Sequence, residues 1–262
     1  MNLAVVSDEL TEDLEDAIRA GLEMGIARFE LRKIWGSRVP AVSREELARV
    51  KALKKRTSIQ IPSISPGLFK IPLNSEKLEE HRTRLLEQSL AFAEELEVER
   101  IIIFGFMPGH GHDPSDGQRV LDLLGEAARA IASRGIAASL ENEPGPADTS
   151  DHLLRIFTAL EGSGLKLNWD PGNLFKAGET DYRSGYAALR SHIDNVHVKD
   201  AIRTPDGCRH VALGEGEIDW ASQIGQLEAD GYTGNLVIET HCKPLIEMTR
   251  RNVEFIRKVL AH

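Results

Sequence analysis

Four side chains suited to holding a divalent cation each close a short apolar run: Glu141 in AASLE, Asp170 in LKLNWD, His197 in NVHVKD and Glu239 in LVIE. Side chains alternate along a strand, so Leu140, Trp169, Val198 and Ile238 face the other way. Brought to one height, these strand ends gather three carboxylates around one imidazole. Carboxylates that close repel and cannot all ionise cheaply. A divalent cation removes that difficulty, and a neutral imidazole nitrogen is a good fourth ligand. Such an O/O/N/O set admits Mn²⁺, Mg²⁺, Co²⁺ or Zn²⁺, and one ion, with Mn²⁺ favoured, is the expected cofactor. Singly, each residue has a plainer role. Asp170 precedes Pro171-Gly172 and suits a turn, a lone strand histidine is commonly a bonded core residue, and a strand-end Glu is commonly solvated. The joint arrangement carries the metal reading. Lys199 lies two residues beyond His197 on the same face, where it either meets a substrate oxygen or pairs with Glu239 or Asp200.

The elements that must position these residues recur along the chain. An amphipathic helix ends near a glycine, a short apolar strand follows, and a polar residue closes it. GLEMGIARFEL, ASRGIAASLEN, EGSGLKLNWD and EADGYTGNLVIE all follow this order. Glycine just past a helix supplies the left-handed residue that ends it. Ser43 with Glu46 forms a capping box before ELARVKALKK. Leu86, Leu90 and Ala93 give one apolar stripe. Strands are expected near 2–6, 27–32, 57–63, 100–106, 136–141, 164–170, 193–198 and 233–239, alternating with helices. That order predicts a (β/α)₈ TIM barrel as a single domain over residues 1–262, with its active site at the C-terminal ends of the strands. A doubly wound sheet is the runner-up, but VVSDELTED after the first strand has no phosphate-binding glycines.

Composition narrows the function. With 262 residues, 41% apolar and 28% charged, the chain is an ordinary globular protein. A formal net charge of −9 disfavours nucleic acid and anionic membranes as partners. No apolar run approaches the roughly 20 residues of a spanning helix. MNLAVVSDELTED lacks the basic and apolar regions of a signal peptide, and Cys208 and Cys242 form no CxxC, so a cytoplasmic location with reduced thiols is expected. No P-loop, dinucleotide fingerprint or Ser/His/Asp nucleophile set is present.

The ordered motifs FELRKIWG, SLENEPG, LNWDPGN, NVHVKD, LGEGEIDW and LVIET resemble the sugar phosphate isomerase/epimerase superfamily, the xylose-isomerase-like TIM barrels, over nearly the whole chain. The resemblance implies one divalent metal held by Glu141, Asp170, His197 and Glu239, with a polyhydroxy carbonyl substrate between the two glutamates. It implies isomerisation or epimerisation through an enediolate, with Glu141 and Glu239 as the acid/base pair. It also points to substrate contacts. Asn173 stands where several relatives carry a histidine; an amide can bind a sugar hydroxyl but cannot shuttle protons. Arg203, six after His197, matches a substrate-gripping arginine. Glu30 shares parity with Arg28 and Arg32, so substrate contact and a Glu–Arg network are both open. Lys70 in SPGLFKIPL reaches the mouth or lies solvated on the surface. His110 and His112 suggest a polar lid, Asp219 a helix cap, and Glu215 and Glu217 exposed positions.

Three other readings compete. A metal-dependent dehydratase or lyase of a keto-inositol or keto-acid would begin with the same proton abstraction. Apurinic-site endonucleases share the superfamily, but Met107-Pro108-Gly109, Asp170-Pro-Gly-Asn173 and Cys208-Arg209-His210 lack ligands for their second and third metals. A non-catalytic sugar-binding barrel fits the fold but leaves the ligand set without a purpose. No glycine-rich loop marks the usual barrel phosphate site, which favours an unphosphorylated substrate. The partner expected is a small sugar-like molecule, with homodimer and homotetramer both open.

Overall fold

The computed structural model describes residues 1–108 and 116–261. Eight parallel strands form the barrel: β1 Asn2–Val6, β2 Phe29–Glu30, β3 Ser63–Leu68, β4 Arg100–Phe104, β5 Ala137–Glu141, β6 Leu165–Trp169, β7 Ile193–Val198 and β8 Asn235–Ile238. Their order is β2-β1-β8-β7-β6-β5-β4-β3. Bridges Arg28↔Gln60 and Leu31↔Ile64 close β2 onto the segment entering β3. The helices α1 Leu14–Glu23, α2 Arg44–Thr57, α3 Leu86–Leu96, α4 Asp116–Ala132, α5 Ser150–Ala159, α6 Tyr182–Leu189, α7 Trp220–Ala229 and α8 Leu245–Leu260 alternate with them. This is the expected (β/α)₈ barrel. None of the described helices is long and apolar enough to cross a membrane.

Local chemistry explains the boundaries. Ser43 Oγ accepts from the Glu46 amide at 3.1 Å, and Glu46 accepts from the Ser43 amide at 2.7 Å, so the capping box starts α2. Gly25 and Gly231 follow α1 and α7 with φ of 70° and 74°, conformations that cost other residues a steric penalty. The third strand departs from expectation: it runs over Ser63–Leu68, not 57–63. α2 continues to Thr57, Ser58 turns left-handed, and Pro62 has no N–H to give a ladder. Pro66 is tolerated inside β3 because the pairing with β4 shifts register between Ile64 and Leu68, a bulge at the barrel rim.

Strand parity separates two cores. Leu140, Leu167, Trp169, Val196, Val198, Leu236 and Ile238 join the apolar layer between strands and helices. Ala4, Val6 and Val237 pack together separately, inside the barrel. Val237 is paired with His197, so His197 points inward too, and Glu239 follows Val237 at the same parity.

Candidate functional site

The inward parity brings the four expected ligand residues together at one end of the barrel. Glu141 ends β5, Asp170 and Glu239 follow β6 and β8, and His197 lies in β7. One donor atom from each falls within 4.8 Å of all the others, and all four residues are buried. His197 Nδ1 stands 3.5 Å from Glu141 Oε1, 3.5 Å from Glu239 Oε2 and 3.9 Å from Asp170 Oδ2. It makes no hydrogen bond among the described residues. The other ring nitrogen, Nε2, lies 3.0 Å from Glu30 Oε1. A carboxylate accepts, so Glu30 holds a proton on Nε2 and turns Nδ1 toward the three acids; burial opposes a charged ring, yet Glu30 and Glu141 push the imidazole well above its ordinary pKa. In the ion-free protein a proton on Nδ1 offsets the three carboxylates; a divalent ion would take that proton's place, and this donor set fits one.

Cations surround the acids without satisfying them. Lys199 Nζ is 2.6 Å from Asp170 Oδ2 and 2.7 Å from Glu239 Oε2. Arg32 contacts Glu239 and Glu9 at 2.6 Å and Asp8 at 2.9 Å. His241 bridges Glu239 and Glu9, each at 3.1 Å. Asp8, Glu9, Asp170 and Glu239 thus share Arg32, Lys199 and His241, while Glu30 and Glu141 meet only His197 among the basic groups of the described residues, so the carboxylates outnumber the cations. Burial works against ionising Glu239, yet Lys199 and His241 hold its carboxyl well below the usual range. Burial likewise opposes ionisation of Glu141, and His197 outweighs it to bring the carboxyl down. Asp170 goes up, because burial and the neighbouring glutamates exceed the help from Lys199. Burial disfavours the charged form of His241, but Glu239 and Glu9 push it up to about 9.

The remaining expected site residues take distinct places. Glu30 enters no arginine network; it is fully buried, accepts from Ser63 Oγ at 2.6 Å and orients His197. Lys199 pairs with Asp170 and Glu239, not Asp200. Its carbon chain explains Pro171-Gly172: a Cβ on Gly172 would lie 2.6 Å from Lys199 Cγ. Asn173 Nδ2 donates to Glu141 Oε1 at 3.3 Å and to the Asn142 carbonyl at 2.8 Å, so the amide positions Glu141. Lys70 is not a solvated lysine: it is half-buried, 2.6 Å from Glu143, with its ammonium over the Phe104 ring. Arg203 is exposed, stacked 4.6 Å over Phe175 and donating to the Phe175 carbonyl. Asp219 caps α7 as expected, and Glu215 and Glu217 are exposed. His110 and His112 lie outside the described residues.

Asn142, Asp200 and Arg32 also shape the site, the first with no reading from sequence and the other two in roles different from those expected. Asn142 clamps β5 to β6 through both backbone groups of Asp170, accepting at 2.9 Å and donating at 2.7 Å. Asp200 accepts from the amides of Ala201, Gly214, Gly216 and Ile218, tying the hairpin Asp200–Thr204/Gly207–Val211 to the loop before α7. Gly216 permits this, since a Cβ there would strike Asp200. Parity was the available signal for Arg32, which shares the face of Glu30.

A family model described as xylose isomerase-like TIM barrel matches residues 18–259. No curated protein matches in sequence. Among solved structures, the chain is similar to the probable 3-DHS dehydratase AsbF involved in petrobactin synthesis from Bacillus anthracis, with TM-score 0.81 and 18% identity over 98% of this chain and 99% of that one. It is similar to an L-ribulose 3-epimerase, with TM-score 0.79 and 16% identity over 100% and 95%. It is also similar to the IOLI protein with a bound zinc atom, with TM-score 0.76 and 16% identity over 100% and 97%. At these identities the structures speak to fold alone, whereas the family model covers nearly the whole sequence. The chain belongs to the xylose isomerase-like TIM barrel family.

Proposed function

We propose that this protein is a divalent-metal-dependent isomerase or epimerase of a sugar or related polyhydroxy carbonyl compound. The observation that carries this reading is the unbonded His197 Nδ1 facing Glu141, Asp170 and Glu239 in a buried, negatively charged centre. The L-ribulose epimerase and the zinc-bearing neighbour lend support.

Glu141, Asp170, His197 and Glu239 would hold the ion. When bound, a divalent ion there supplies Lewis-acid polarisation of a carbonyl and its adjacent hydroxyl. The proton work falls to the two glutamates. They come from β5 and β8, with β6 and β7 between, so they approach the centre from different sides. One carboxylate takes the proton from the carbon beside the carbonyl, leaving an enediolate, and the other returns a proton. Return to the same carbon from the opposite face epimerises it; delivery to the neighbouring carbon isomerises the sugar. Asn173 keeps Glu141 in place and Glu30 keeps His197 in place. Lys199 holds Asp170 and Glu239 together in the ion-free protein, where its ammonium occupies part of their charge.

The test is a proton-NMR time course in D₂O with Mn²⁺-activated enzyme, diluted for observation, and a panel of ketoses. Deuterium entering the α-position of an intact skeleton supports the proposal, and Glu141→Gln and Glu239→Gln should each abolish it. Loss of water in place of exchange identifies a dehydratase, and exchange at the wild-type rate in both variants removes the glutamates from the mechanism.

A further inference from the structure

The basic residues at the barrel mouth differ in how they are occupied. Arg32, Lys70 and Lys199 each pair with carboxylates, and Arg203 is exposed across Phe175. Arg38 is half-buried and has no carboxylate partner among the described residues. It is presented by the small hairpin Lys33–Ile34/Ser37–Arg38 and lies over the bulge of β3. There its Nε donates to the Ser65 carbonyl at 3.1 Å and its Nη2 to Ser65 Oγ at 3.2 Å. These two bonds hold the guanidinium by one edge, and among the described residues Nη1 meets no acceptor. Gly67 makes the seat possible: its φ is 80°, and a Cβ there would lie 2.9 Å from Arg38 Nε. Ser65 shares its strand face with Ser63, whose hydroxyl meets Glu30, so the seat borders the barrel interior. Glu141, Asp8 and Glu143 all act on this cation through space, yet none contacts it. Burial, with Arg32 nearby, pushes its pKa down, as befits a guanidinium lacking a counterion.

A partly desolvated guanidinium held by one edge, with free donors on another, is arranged to accept an oxyanion. We infer that Arg38 binds an anionic group of the substrate, a carboxylate or a phosphate, at the β2–β3 side of the mouth. The inference rests on the proposed sugar chemistry and narrows its substrate class to acidic or phosphorylated polyhydroxy carbonyl compounds. The anion lies away from the reacting carbons, so Arg38 sets specificity and orientation and takes no part in proton transfer.

The probes are D-fructose, 5-keto-D-gluconate and D-fructose 6-phosphate, titrated calorimetrically into Mn²⁺-loaded wild type and Arg38→Gln. The expected result is that at least one anionic ketose binds wild type about tenfold or more tightly than D-fructose. In Arg38→Gln the preference should fall to about twofold or less, with melting temperature and metal content unchanged. Preference for the keto acid alone identifies a carboxylate; preference for the phosphate ester alone identifies a phosphate. Arg38→Lys keeps the charge without the planar fork and should retain part of the preference, which covers the case in which the glutamine variant fails to fold. Equal binding of all three compounds by wild type, no measurable binding of either anion, or a preference that survives in Arg38→Gln overturns the inference. Metal content on the same samples separates two failures. A protein that takes up no ion refutes the proposed chemistry, whereas an ion-loaded protein without the preference removes the anion site alone.

Discussion

Glu30 touches no proposed ligand except His197, yet the geometry makes metal affinity depend on it. Its carboxylate lies 3.0 Å from His197 Nε2 and 2.6 Å from Ser63 Oγ, with no exposure to solvent. Glu30→Gln keeps the shape and an accepting oxygen but removes the charge. A charge-assisted hydrogen bond contributes about 1.5–3 kcal/mol and a neutral one about 0.5–1.5 kcal/mol. The difference, about 1–1.5 kcal/mol, is worth about tenfold in binding. Glu30→Ala also frees the imidazole to turn and leaves Nε2 without its acceptor, and a loss approaching about 100-fold is expected. Affinity for Mn²⁺ or Zn²⁺, measured by competition with a chromophoric chelator, should therefore fall in the order wild type, Glu30→Gln, Glu30→Ala. Affinities within about twofold of wild type in both variants, or a glutamine variant weaker than the alanine one, would refute the positioning argument.

Two further outcomes follow from groups around the centre. Lys199→Met leaves Asp170 and Glu239 buried without their shared ammonium, so the ion-free protein should lose about 3–5 kcal/mol in denaturant unfolding. The same change removes a competing cation, so divalent-ion affinity should rise, and a fall contradicts this. His81 Nδ1 accepts the Phe69 amide at 2.9 Å, and burial holds its pKa below the ordinary value of 6.5. The unfolded chain therefore binds more protons than the folded one below pH 6.5, and stability is lost as pH falls through that range. Urea unfolding at pH 7.5 and 5.5 should show a smaller pH-dependent loss in His81→Gln than in wild type; equal losses would remove His81 from the acid response.

Much of the centre was legible because it depends on parity. Glu141, Asp170, His197 and Glu239 end successive strands, and alternation alone puts them inside while Leu140, Trp169, Val198 and Ile238 go outside. Lys199 follows from the same rule, although its pairing with Asp170 in place of Asp200 depends on how β6 and β7 lie side by side. The partners of Glu30 did not follow. His197 lies 167 residues away and reaches Glu30 across the closed barrel, a contact that no local pattern encodes. Arg32 is similar, with Glu239 207 residues distant. Lys70 reads as a surface lysine until Glu143, 73 residues on, is placed beside it. The third strand was misplaced because SIQIP looks like a strand, whereas the extent of α2 and the amide missing from Pro62 decide where pairing becomes continuous.

The measurement that bears most directly on the central claim is metal content by mass spectrometry, on protein incubated with Mn²⁺ and freed of loosely bound ions, wild type beside His197→Ala. The account requires about one tightly held divalent ion in wild type and its loss in the variant. Two or three ions would indicate a multinuclear centre of the endonuclease kind. No ion with Mn²⁺, Co²⁺ or Zn²⁺ would make the cluster a polar core network and contradict the proposed function.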